Sequence, residues 1–214
     1  MHMMKATLIY LYDALCGWCY GFSPVITRLR QEYAGELDME IYSGGMVLGE
    51  NAGMVSSETA AYILQAIPKV EEYTGIQFGQ RYRQQLEEGS LYQSSLKPAI
   101  ALSVFKNHLP EEAVFFAAAL QKAAFLQGES LEADDTYRKL LEAYPAISSE
   151  QFLQEMHTEN ALHSAYEDFR YAAELGATGF PALLGCKNDH YYWLSRGYQP
   201  YEQLKNIVER FKAV

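Results

Sequence analysis

The sequence predicts an α/β fold in two halves, strand–helix–strand and strand–strand–helix, with a large all-helical insertion between them. Three observations carry that expectation. An apolar run at residues 6–12 leads straight into the pair Cys16 and Cys19, and a helical pattern follows. Residues 56–176 hold helix signals but no strand pattern, repeat or low-complexity stretch. After Gly179 two apolar runs flank a polar Lys187-Asn188-Asp189 turn, the signature of a hairpin.

Residues 6–12 combine aliphatic and aromatic side chains and read as a buried strand; residues 20–33 read as the first helix, with Pro24 kinking it. Residues 37–45 alternate apolar and polar and end in two glycines, a second strand. Strand, helix and strand at this spacing imply a right-handed unit with parallel strands. In the insertion, Ser56 caps a helix that runs to Ile67, where Pro68 interrupts it. Residues 98–108 form an apolar helix. Pro110-Glu111-Glu112 then opens another through Phe115, Phe116, Leu120 and Phe125 to Gly128, apolar on most faces and so central to a helical layer. Residues 134–144 form the next helix, and Ser148 with Gln151 makes a capping box for a segment reaching His157. Thr158 caps the last helix of the insertion, which Gly176 stops. Strands at 180–186 and 190–195 follow. Leu204, Val208 and Phe211 then mark an amphipathic C-terminal helix over 201–212. Residues 1–50 and 177–214 thus form one α/β domain around an insertion at 51–176.

Composition narrows the function classes. A net charge of −10 over 214 residues disfavours nucleic acid and anionic membrane surfaces as partners. No apolar stretch is long enough for a membrane-spanning helix. Met1-His2-Met3-Met4-Lys5 carries some positive charge, but the apolar run behind it ends at Asp13 and enters the cysteine pair. Cleavage there would destroy the pair, so no signal peptide is expected and the cytoplasm is the expected compartment. Three cysteines make no extracellular disulfide framework.

Thiol–disulfide exchange needs a thiolate to attack a disulfide sulfur and a second thiol to release the mixed disulfide. Cys16 stands at the expected helix start, where the helix-end field favours its thiolate; Cys19 follows three residues on. Cys16 is therefore the expected nucleophile and Cys19 the resolving thiol. Neither Gly17 nor Trp18 supplies a positive charge, which argues against an extreme oxidant. Asp13 is the carboxylate nearest in sequence: it either assists proton transfer or simply ends the strand. Trp18, Tyr20, Phe22 and Phe180 form either an apolar rim for substrate or part of the core, with Phe22 assigned to the core. His157 and His163 fall on different helix faces, so no metal site is expected.

Cys16-Gly17-Trp18-Cys19-Tyr20-Gly21-Phe22, Pro24 and Thr178-Gly179-Phe180-Pro181 resemble the thioredoxin superfamily. The helical insertion resembles its DsbA-like branch, and more narrowly the FrnE-like protein-disulfide isomerases. The resemblance implies a thioredoxin-like fold and a protein-disulfide oxidoreductase or isomerase whose redox centre is the Cys16–Cys19 disulfide. It also implies that Pro181 is cis, faces the pair and shapes a substrate groove. Cys186, five residues further along that strand, would then lie roughly 16 Å away, too far to share a zinc ion with the pair. The chain departs from the thioredoxin pattern at Tyr10, where that family keeps a buried acid, and from exported DsbA proteins in its Gly-Trp dipeptide. The implied partners are protein or small-molecule thiols and disulfides, with no resident cofactor and glutathione as a conceivable co-substrate. Two rivals stand beside this reading. One is a glutathione-dependent isomerase or transferase, resembling the 2-hydroxychromene-2-carboxylate isomerases and kappa-class transferases, which carry a single serine or cysteine where this chain has a pair. The other is a non-catalytic binding module in which the pair acts only as a redox switch.

Overall fold

Strand β1 (Thr7–Tyr12) is an inner strand of the sheet, and its C-terminal end leads into the cysteine pair. The computed structural model describes residues 6–213, so the Met1 to Lys5 segment lies outside it. Helix α1 (Gly17–Glu32) follows β1, and strand β2 (Asp38–Ser43) pairs with β1 in parallel, Tyr10 opposite Ile41. At the other end of the chain, β5 (Ala182–Lys187) pairs antiparallel with β1, placing Ala182 beside Leu11. Strand β6 (His190–Arg196) closes the hairpin, and Asn188 and Asp189 take the positive φ values that its two-residue turn demands. The sheet order is β2-β1-β5-β6. Helix α9 (Tyr201–Ala213) packs back on β6.

Between the halves lie β3 (Gly53–Met54), α2 (Ser57–Thr74), α3 (Gln80–Glu87), β4 (Tyr92–Gln93), α4 (Leu96–His108), α5 (Ala113–Phe125), α6 (Asp134–Leu141), α7 (Ser149–Met156) and α8 (Glu159–Glu174). The insertion is helical, as its pattern predicts, with one addition: β3 and β4 pair as a short antiparallel ribbon. Other elements also differ from the sequence reading. Helix α1 starts three residues early, at Gly17, with Cys16 as its N-cap. Pro68 does not end α2, which continues to Thr74 because Ile67 and Val70 are buried on either side of an exposed Pro68. Helix α3 has no counterpart in the sequence reading.

The pleat of β1 divides the core. Leu8, Tyr10 and Tyr12 join the main cluster with residues of α1, α4, α5 and α9, whereas Ile9 and Leu11 meet Ala172 of α8, Ala182 and Leu184 on the opposite face. Pro24 lies inside α1, where its ring nitrogen cannot donate to the Tyr20 carbonyl; the Ser23 hydroxyl donates to that oxygen instead, at 2.8 Å. Across the sheet, Lys106 of α4 donates to both carboxylate oxygens of the buried Asp168 of α8 at 2.7 and 2.8 Å. It also reaches the Ile41 carbonyl at 3.2 Å, so one ion pair joins α4, α8 and β2. Among the described residues no helix is long and apolar enough to cross a membrane.

Candidate active site

The loop from β1 into α1 is held by Asp13. Its buried carboxylate accepts from the Leu15 N–H at 2.9 Å, the Ser95 hydroxyl at 2.9 Å and the Met46 N–H at 2.8 Å. Burial raises the pKa of this carboxyl, and the hydrogen bonds oppose the rise. Its own carbonyl accepts from the Cys16 N–H at 3.1 Å and from the Gln121 side chain at 3.1 Å. Asp13 therefore ties the end of β1 to the segment after β2 and to the start of α4, and its carboxylate oxygens bond groups other than the two thiols.

With that loop fixed, Cys16 caps α1 through its side chain. Its Sγ accepts from the Cys19 N–H at 3.2 Å, an arrangement that puts a helix-end donor on the sulfur. The same Sγ donates to the Phe180 carbonyl at 3.4 Å. Cys16 keeps 6% of its surface exposed and Cys19 none. Burial pushes the Cys19 thiol well up from its ordinary range, and the neighbouring Cys16 pushes in the same direction. The two thiols are thus unequal: one slightly exposed with a backbone donor on its sulfur, the other fully buried with its pKa pushed up.

The opposite wall is the segment entering β5. The Phe180–Pro181 peptide bond is cis, and the Pro181 carbonyl accepts from the Gly197 N–H at 2.8 Å, which anchors the wall to the end of β6. The Phe180 ring lies against Gly44, just past β2. A Cβ at residue 44 would sit 1.9 Å from the ring, so only glycine leaves room for it.

Of the residues singled out from sequence, Cys16, Cys19, Phe180 and Pro181 come together here. Half-buried Trp18 stands beside them, its ring centroid 6.1 Å from Tyr73 and 6.3 Å from Tyr198. Of the two readings of Tyr20, rim or core, its burial fits the core. It is only 7% exposed, its ring stacks on Phe125 at 5.2 Å and its hydroxyl donates to the Gln77 carbonyl at 3.1 Å. Helical geometry explains this: one residue past Cys19 the side chain turns from the sheet towards α2, α3 and α5. Phe22 is in the core. Cys186 pairs with Thr7, at the other end of the β1–β5 ladder from Ala182 and Leu11. Among the described residues no group of three His, Cys, Asp or Glu side chains could hold a metal ion. Sequence reasoning missed Gly44, Ser95, Tyr73 and Tyr198, which reach the site only through tertiary packing.

The DSBA-like thioredoxin domain model matches residues 7–209. The chain belongs to that family. A solved structure of a candidate protein disulfide isomerase from Nitrosomonas europaea is 28% identical, with a TM-score of 0.84 and 97% of each chain covered. The cytosolic disulfide reductase DsbM from Pseudomonas aeruginosa is 24% identical with a TM-score of 0.79, covering 97% of this chain and 100% of that one, and it has also been solved with GSH. The ClpXP adapter protein SpxH of Bacillus subtilis is 20% identical over 190 residues, 88% of this chain. The chain spans 61% of that relative's length.

Proposed function

We propose that this chain is a thiol–disulfide oxidoreductase of the protein-disulfide reductase or isomerase kind. The Cys16 thiolate attacks a substrate disulfide, one substrate sulfur leaves as thiolate, and the other stays bonded to Cys16. Cys19 then loses its proton and attacks Cys16 Sγ. The second substrate sulfur departs as a thiol, and a Cys16–Cys19 disulfide remains. Phe180 and Pro181 form the wall against which the substrate chain lies, and Trp18 supplies apolar contact on the other side.

One observation carries this reading: the Cys16 sulfur lies between the Cys19 N–H and the Phe180 carbonyl, with Cys19 fully buried behind it. A pair built for exchange needs this asymmetry, because the sulfur that meets substrate must be reachable and the sulfur that resolves must wait. Glutathione as the co-substrate that resets the disulfide, and the cytoplasm as the compartment, belong to the same proposal. Both draw support from the cytosolic reductase of similar fold that was solved with GSH.

A binding role is the rival that the adapter relatives favour. Insulin reduction separates the two, run for wild type and Cys19→Ser with glutathione present and absent. Turnover by wild type and its loss in Cys19→Ser support exchange. A wild type inert towards insulin, or a fully active Cys19→Ser, overturns it.

A further inference from the structure

The main cluster contains two buried hydroxyls without a hydrogen-bond partner, those of Tyr10 and Tyr12, that the exchange reading leaves unused. Tyr10 sits on the pleat face of β1 that looks at α1, and its ring centroid is 5.8 Å from that of Phe22, three residues after Cys19. Only 2% of Tyr10 is exposed, and its hydroxyl has no hydrogen-bond partner. An unsatisfied hydroxyl in a core costs stability, and a phenylalanine would fill the same space without it. Cys16 and Cys19 belong to the same buried cluster as Tyr10, and after burial their sulfurs are the largest influences on the ionisation of its hydroxyl, each pushing it further up. Tyr10 therefore keeps its proton. It is unfit as a base and fit as a hydrogen-bond donor.

We propose that the Tyr10 hydroxyl donates a hydrogen bond to the Cys19 sulfur as that sulfur becomes a thiolate, and so lowers the barrier to release of the mixed disulfide. The inference rests on the exchange reading given above. Cys19 is fully buried and its thiol is pushed up, so the resolving step must create negative charge on a sulfur with no exposed surface. A free donor in the same buried cluster can turn to that charge and stabilise it. The titratable groups facing the Cys19 sulfur are Cys16 on α1, Tyr10 and Tyr12 on β1, and Asp13 in the loop between them. None of these is a cation, so the new charge depends on dipoles. In the step itself, the Cys19 S–H bond and the bond between Cys16 and the substrate sulfur break, and the Cys16–Cys19 bond forms. The Cys19 proton ends on the departing thiolate. Tyr10 lends its hydrogen bond and returns unchanged.

The test uses Tyr10→Phe, which keeps the ring packing. The reduced protein is mixed with dithiobis-nitrobenzoate, and release of the second thionitrobenzoate from Cys16 is followed by stopped-flow absorbance across pH. Release by Tyr10→Phe should slow about tenfold or more at neutral pH, the size expected for losing a hydrogen bond to a charged acceptor. Its pH profile should move to higher pH, while Tm stays equal or rises. A Tyr10→Phe protein with wild-type rate and profile overturns the inference and leaves the exchange reading standing. A wild type that retains thionitrobenzoate without release overturns the exchange reading, and this inference with it.

Discussion

Gly44→Ala isolates the contact that supports Phe180, in the proposed substrate wall. Gly44 is not at positive φ, so alanine suits its backbone and the effect is steric alone. The new Cβ would lie 1.9 Å from Phe180 Cζ and 2.4 Å from both Cε atoms. Restoring an ordinary carbon contact of about 3.5 Å means moving the ring by roughly 1.6 Å. Overpacking of this kind costs about 1–3 kcal/mol. At about 2–4 °C per kcal/mol for a chain of this size, Tm falls by roughly 2–12 °C. The ring cannot move alone, because the same residue's carbonyl takes the Cys16 thiol hydrogen. Exchange activity should therefore fall together with Tm. The assay is a double-mutant cycle in thermal melts and in dithiobis-nitrobenzoate reduction. The three atoms nearest the new Cβ all belong to Phe180, so in a Phe180→Ala background Gly44→Ala should cost close to nothing. An equal cost in both backgrounds would refute the steric argument.

Alkylation of the reduced protein near neutral pH, read by peptide mass spectrometry, should modify Cys16 well before Cys19, whose sulfur is sealed and whose thiol is pushed up; the reverse order contradicts the assignment of roles. Lys106→Met strands the buried Asp168 carboxylate and should destabilise the fold by about 3–5 kcal/mol in urea unfolding. Much of that loss should return in Lys106→Met with Asp168→Leu, and a single variant as stable as wild type would remove the ion pair from the account. Burial raises the folded pKa of Asp13, so its contribution to stability is full below the unfolded value of about 3.9 and is lost as pH rises through the folded value. The Tm of wild type relative to Asp13→Asn should accordingly fall as pH rises above about 4, and a relative Tm that climbs with pH would contradict the direction of the shift.

The cysteine pair was legible because local chemistry writes it: an apolar strand, a C-x-x-C and a helix in immediate succession. Caps were legible for the same reason, as Ser56, Ser148 and Thr158 each accept from the N–H three residues on. Helix α3 was not. Its eight residues are mostly Gln, Arg and Glu, and only Tyr82 and Leu86 are buried, one turn apart and too few to set a period. The β3–β4 ribbon is two residues deep on each side, below the length at which alternation can be seen. Pro68 misled because tertiary burial of Ile67 and Val70 outweighs the loss of one exposed hydrogen bond. Within the site, Tyr20 follows Cys19 directly, yet the helix turns it away from the pair. The Gly44–Phe180 contact joins residues 136 positions apart, and no local signal announces it.

The central claim is that Cys16 attacks and Cys19 resolves. Trapping tests it most directly: Cys19→Ser and Cys16→Ser are each mixed with a disulfide-bonded protein, quenched with acid and examined by intact and peptide mass spectrometry. The account predicts that Cys19→Ser accumulates a mixed disulfide on Cys16 and that Cys16→Ser accumulates none. Adducts on Cys19 in Cys16→Ser, or no adduct on Cys16 in Cys19→Ser, would contradict it.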